Sequence, residues 1–445
     1  MKHILLLFLL LNLIFSSNGN AQFSPAIILD DNQGYFISLI KVADFNNDGH
    51  NDILTVADKF PLDDVRIYFN EGNNNFLPVL IEERANIGTV DVADLNDDSQ
   101  IDFAIISDTG TETNLSWYEN QSGNFEQHFL TNVESGMNKV ILQDFNNDGM
   151  PDILSLEHTV FVLRKAISPG IFAEGEAYAE PTEYYAVNAN DFNGDGFLDV
   201  AIASATGFLV FLNESGNGFT HFSGAGSSIS FGLESADLDQ DGHIDIVSYD
   251  TLQGLRLYAN DGNGNFTFHS TILDSNDNFS IFGLVDLNCN EIPDLHTVIS
   301  QLGQVIWMEN QGDANFNSPD VVHDFDELLY ASGNGDLNGD EIPDLIFGRN
   351  NLAIALNECG AMNVSDLNES HFQVYPNPFG NEINIISKSN PENYTVQLLD
   401  STGKSVLSNN PVQKINTTHL PKGIYILKIL NKNGEIIYHQ KLLRK

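Results

Sequence analysis

The chain has 445 residues, with 62 Asp and Glu against 19 Lys and Arg and a formal net charge of -43 at pH 7. That length exceeds one ordinary compact domain unless the domain is a repeat array, and 42% hydrophobic residues exclude a disordered acidic chain. The charge is uneven: from residue 371 onward nine basic residues face four acidic ones, whereas residues 22–370 carry about -49, which excludes a nucleic-acid partner there and favours cations.

At the N-terminus, Met1-Lys2-His3 precedes the apolar run Ile4 to Phe15 and then small and polar residues up to Ala21, the pattern of a secretory signal peptide over residues 1–21. No stretch reaches the roughly 20 apolar residues that span a bilayer, so no transmembrane segment is expected. The next segment, Phe23 to Leu29, is similar to stretches that elsewhere follow a hairpin turn, such as Phe76 to Leu80, yet no hairpin precedes it.

A nine-residue pattern, D-x-N/D-x-D-G-x-x-D, then recurs seven times, with starts at Asp44, Asp94, Asp144, Asp191, Asp237, Asp286 and Asp336, offset by 50, 50, 47, 46, 49 and 50 residues. Each copy is followed by a β-rich apolar run such as Ile53 to Val56 or Val200 to Ala203. A second run then leads into an Asn, Gly and Asp turn bounded by aromatics, as in Tyr68 to Phe76 and Leu257 to Phe266. Four short strands in about 48 residues is one propeller blade. The expected fold is all-β: a seven-bladed β-propeller over residues 22–360, a linker over 361–372 and a small β-sandwich over 373–445. The last repeat stops at Ala355 to Cys359 without an outer strand, so the N-terminal segment is expected to complete the seventh blade and close the ring. Cys289 and Cys359 are the two cysteines; export permits a bridge, and the sequence does not fix the geometry a bridge requires.

Positions 1, 3, 5 and 9 of each loop offer oxygen ligands, the donors a hard cation such as Ca2+ prefers. The candidate ligands are Asp44, Asn46, Asp48 and Asp52; Asp94, Asn96, Asp98 and Asp102; Asp144, Asn146, Asp148 and Asp152; Asp191, Asn193, Asp195 and Asp199; Asp237, Asp239, Asp241 and Asp245; Asp286, Asn288, Asn290 and Asp294; and Asp336, Asn338, Asp340 and Asp344. A backbone carbonyl near position 7 and water would fill the rest. Position 12 is Thr55, Ile105, Ser155 or Ile202, not the Glu of a helix-loop-helix calcium site. The seven loops hold 24 carboxylates, a crowding that up to seven structural Ca2+ ions would relieve, whereas plain solvated turns would not. Loops 6 and 7, with Glu291 and Glu341 where Gly is usual and Asn290 at position 5 of loop 6, are expected to be weakest, and loop 6 is the one that could go empty.

These loops resemble the FG-GAP and VCBS repeats of integrin-α-like propellers, a resemblance covering roughly residues 22–360. It implies structural calcium in the inter-strand loops and ligands bound elsewhere on the ring.

Beyond the repeats, Tyr375 to Phe379, Val396 to Lys404 and Leu420 to Lys428 mark six or seven short strands with glycine turns. Over its whole length this unit resembles the C-terminal sorting domain of the type IX secretion system. The resemblance implies secretion machinery as a partner and a product released from, or attached to, the outer cell surface. No G-x-S-x-G, H-E-x-x-H or Cys/His nucleophile signature is present. The favoured reading is a monomeric binding or adhesion module for a glycan or surface protein, with no catalytic residue assigned. The alternative is a polysaccharide-active lyase or hydrolase on the same scaffold, for which the irregular third repeat, with Glu174, Glu176, Glu180 and Glu183, is the place to look.

Overall fold

A computed structural model describes residues 23–359 apart from 31–35, 135, 137–138, 181, 227, 275–278, 301, 326–328, 330 and 349, and residues 372–445 apart from 376–377, 388–393, 401–403, 410–413 and 432–435. The expected signal peptide and most of the expected linker lie outside the described residues. Two compact units divide at Cys359 and Gly360. Among the described residues no helix is long and apolar enough to cross a membrane.

The first unit contains seven four-stranded antiparallel sheets, here blades 1 to 7. Blade 1 consists of Phe36–Ala43, Asp52–Asp58, Asp63–Asn70 and Phe76–Arg84, numbered from the inner strand outward. The other inner strands are Ile87–Ala93, Lys139–Gln143, Tyr184–Asn190, Ser230–Ala236, Phe279–Val285 and Ala331–Gly335. Each packs against the inner strand of the next blade, and the seventh returns to the first, so the sheets form a closed ring. Second strands such as Asp102–Asp108 and Asp199–Ser204 are buried almost throughout, which is why they read as unbroken apolar runs. Their side chains fill one core per blade interface. Phe45, Leu54, Val56, Phe103 and Tyr118 join blades 1 and 2, and Phe192, Val210, Ile246 and Tyr258 join blades 4 and 5. Burying each such side chain stabilises the ring by about 1.5–3 kcal/mol.

Closure follows the sequence expectation. Ile27–Asp30 pairs antiparallel with Leu352–Ala355 and becomes the outer strand of blade 7. Ser24 N donates to Leu356 O at 2.8 Å, Phe23 meets Trp307 edge to face at 6.2 Å, and the Tyr68 hydroxyl of blade 1 donates to Asp30. The cysteines pair: Cys289 in loop 6 is bridged to Cys359, 70 residues later.

The second unit packs a three-stranded sheet, Phe372–Tyr375, Glu382–Ser387 and Lys414–Asn416, on a four-stranded one, Ser405–Asn409, Tyr394–Asp400, Gly423–Asn431 and Ile436–Arg444. Phe379, Ile383, Ile385 and Ile415 meet Val396, Leu398, Leu427 and Leu442 in its core. This is the expected sandwich.

Candidate metal loops and the ring that carries them

Every acidic loop lies between the inner and second strands of its blade and takes one backbone form. Position 4 has positive φ at Asn47, Asp97, Asn147, Gly194, Gln240, Cys289 and Gly339, and position 6 at Gly49, Ser99, Gly149, Gly196, Gly242, Glu291 and Glu341. The glycines supply that conformation freely; Ser99, Glu291 and Glu341 adopt it at a cost of about 1–2 kcal/mol each. The missing glycine therefore does not abolish the turn in loops 2, 6 and 7.

The side chains wrap around backbone amides. Position 1 accepts the N–H of position 6 at 2.7–3.0 Å in all seven loops, from Gly49, Ser99, Gly149, Gly196, Gly242, Glu291 and Glu341. Position 3 accepts the N–H of position 5, and position 5 that of position 7, as Asn46 and Asp48 show. These three positions are the solvent-facing part of the candidate ligand set.

Position 9 is different. Asp52, Asp102, Asp152, Asp199, Asp245, Asp294 and Asp344 are fully buried. One oxygen of each accepts the N–H of position 2 in its own loop at 2.9–3.2 Å. The other accepts the N–H that ends the third strand at 2.7–2.9 Å. Burial pushes these carboxyls up, to about 7 for Asp102 and about 6 for the other six, against the lowering effect of the two amides; nearby acids, mostly at positions 1 and 5, push in the same direction as burial. Position 9 is thus a lock on the loop with lone pairs left for a cation.

Loop 5 differs in a way that bears on cation binding. Its position 3 is Asp239, and Asp241 N donates to Asp239 without bonding Asp237 Oδ1. Asp237 Oδ1 is consequently buried with no partner among the described residues. One oxygen each of Asp237, Asp239 and Asp245 lies within 4.8 Å of the other two. Three carboxylates brought together in this way, one of them with a buried oxygen that has no partner among the described residues, fit a divalent cation of the Ca2+ type.

Residues outside the nine-residue pattern complete the arrangement. The Asn ending the third strand (Asn70, Asn120, Asn213, Asn260, Asn310 or Asn357) donates from Nδ2 to the position-2 carbonyl of the preceding blade's loop at 2.7–2.9 Å. It also binds the position-8 carbonyl of its own loop, as Asn213 does at Leu198, and accepts a turn N–H, as Asn213 does from Gly216. These Asn recur in the sequence at the end of each aromatic run, a signal that could have marked them as blade-to-blade clasps. In blade 3, Ala166 takes this place, and the extra hairpin Ala166–Ser168 and Ile171–Phe172 reaches back so that Gly170 N donates to Leu95 O at 2.8 Å. Glu309 is a second residue outside the pattern. Asn288 Nδ2 donates to it at 3.0 Å, so the loop expected to be weakest has an additional carboxylate beside it.

The acids of the third repeat do not form a group. Glu176 faces Lys165 at 3.5 Å, Glu180 faces His221 at 3.2 Å, and Glu183 accepts the Tyr185 hydroxyl.

Comparison with known proteins accords with this architecture. The FG-GAP-like repeat model matches residues 44–105, 94–155, 191–248 and 237–297, each match spanning two successive acidic loops. The secretion system C-terminal sorting domain model matches residues 373–444. The chain is therefore an FG-GAP-like repeat β-propeller with a type IX secretion sorting domain, exported to become a secreted or cell-surface protein. No curated protein sequence matches it. Among solved structures, BBS1N in complex with ARL6DN aligns with TM-score 0.54 at 9% identity, covering 76% of this chain and 98% of that one. An Agrocybe aegerita lectin that recognises non-reducing terminal N-acetylglucosamine aligns with TM-score 0.50 at 17% identity, covering 73% and 99%.

Proposed function

We propose that the mature protein is a calcium-stiffened ring that works outside the cell as a binding module for a glycan or surface protein. The observation that carries the calcium reading is loop 5, where Asp237, whose Oδ1 has no partner among the described residues, is grouped with the carboxylates of Asp239 and Asp245. In each loop, positions 1, 3, 5 and 9, with a carbonyl near position 7, would hold the ion. A bound Ca2+ supplies the positive charge that offsets carboxylates held within one turn. Export supports this reading, because extracellular calcium modules work with dissociation constants of about 0.1–1 mM.

The binding reading draws on a rigid ring delivered to the cell exterior, and the Agrocybe aegerita lectin shows one use of such a fold. A glycan array and a surface-protein panel probed with the full-length protein, in calcium and again with chelator, test it. Calcium-dependent capture without degradation of the glycan is the expected result. Degraded glycan would establish the enzyme reading instead, and no capture in either condition would contradict the proposal.

A further inference from the structure

The inner strands of blades 1, 5, 6 and 7 line a half-open cavity of about 350 Å3 whose walls include Lys41, Glu234, His296, Ser332 and Asn334. Blades 1 and 5 are not neighbours, so a space that both touch lies on the axis of the ring. Its volume falls at the lower end of the roughly 300–1,000 Å3 typical of small-molecule sites. Gly283 lets the His296 ring lie across the inner strand of blade 6, since a Cβ there would come within 2.4 Å of Nε2.

The polar groups of this wall are under-used. His296 Nε2 lies 3.4 Å from Asn334 Oδ1, which places the proton on Nε2 and leaves Nδ1 an acceptor; Nδ1 is buried without a partner among the described residues, and so is Ser332 Oγ. Glu234 receives one hydrogen bond among the described residues, from Asn188 at 3.5 Å. Lys41 is paired with Asp91 at 2.7 Å, so its charge is matched within the protein. Hydroxyl groups, which donate and accept, suit this mixture of acceptors and a hydroxyl, whereas an anion would meet Glu234.

The rest of the wall is apolar, with Ile40, Ile281 and Phe282 beside these polar groups. Apolar surface next to hydroxyl-matching polar groups suits a sugar ring, which has an apolar face and a polar rim.

We infer that the axial cavity binds a single sugar unit, a neutral polyhydroxylated ring of monosaccharide size. This names a subsite for the binding module proposed above and rests on its glycan form. The test is saturation-transfer NMR and calorimetry on the full-length protein with glucose, galactose, mannose, fucose and N-acetylglucosamine, repeated on Ser332→Ala and Glu234→Gln, alongside binding to immobilised polysaccharides. At least one sugar is expected to bind, and each variant to weaken it by about tenfold or more. Ser332→Ala should leave Tm unchanged or higher, because Oγ has no hydrogen-bond partner among the described residues. If a sugar binds all variants as tightly as the parent, or only immobilised glycan is bound, the axial site is wrong and the glycan reading stands. If neither free sugar nor immobilised glycan binds, both fail.

Discussion

Asn213 uses its side-chain amide to hold three segments, bonding Phe145 O in the preceding blade's loop, Leu198 O in its own and Gly216 N in the hairpin. Truncation would leave two buried carbonyls and one amide unpaired. Asn213→Ala is expected to lower stability by about 2–4 kcal/mol, measured by denaturant unfolding. Glu341, held at φ 69°, invites the opposite change. Glu341→Gly should raise stability by about 1 kcal/mol in chelator, read from the same curves. His296 sets a pH dependence, because burial pushes its imidazole down to about 4. Below pH 6.5 the unfolded chain gains a proton that the folded chain refuses, so this term weakens the fold as pH falls from 6.5 toward 4. Glu234, which burial pushes up to about 7, acts in the opposite sense, as do the seven raised position-9 aspartates. Comparing the parent with His296→Gln isolates the histidine: as pH falls from 6.5 toward 4 the parent should lose up to about 3 kcal/mol of stability relative to the variant.

At the scale of elements, the closing strand Ile27–Asp30 covers the outer edge of Leu352–Ala355. Deleting residues 22–30 would expose that edge and the apolar faces of Ile354 and Leu352, both now fully buried. A marked drop in Tm is expected, and an unchanged melt would show that the strand does not lock the ring. Much of this was legible in the sequence. The acidic loops are periodic, the second strands are uniformly apolar, and the missing outer strand of the last repeat matches the surplus one at the start. What stayed hidden depends on contacts across the ring. The Cys289–Cys359 bridge joins residues 70 apart, so nothing local announces it. The Asn clasps lie within the aromatic runs, but their partners lie in the previous repeat. The hairpin at Gly170 interrupts the period, so the third repeat reads as degenerate where the structure shows a backbone substitute for the clasp. The axial cavity is built from four blades and has no sequence pattern of its own. Position 9 looks like the other ligands in the spacing, which carries no sign of its burial or of its two backbone bonds.

The whole molecule has a strongly acidic ring and a basic sorting domain with separate tasks. Removing residues 373–445 is expected to leave the protein inside the cell, scored by fractionation of cells and medium, because the sorting domain is what the export machinery reads. The ring's charge raises a question of stability, since 24 carboxylates sit in seven short loops. Cations that bind the folded loops stabilise the fold by mass action, about 2.7 kcal/mol per site at a hundredfold excess over the dissociation constant. The most direct test is scanning calorimetry of the full-length protein at millimolar calcium and in excess chelator, paired with a count of bound calcium at equilibrium. Several bound ions and a propeller transition that shifts to clearly higher temperature in calcium are expected. A transition at the same temperature in both, with no calcium retained, would contradict the reading of the loops as metal sites.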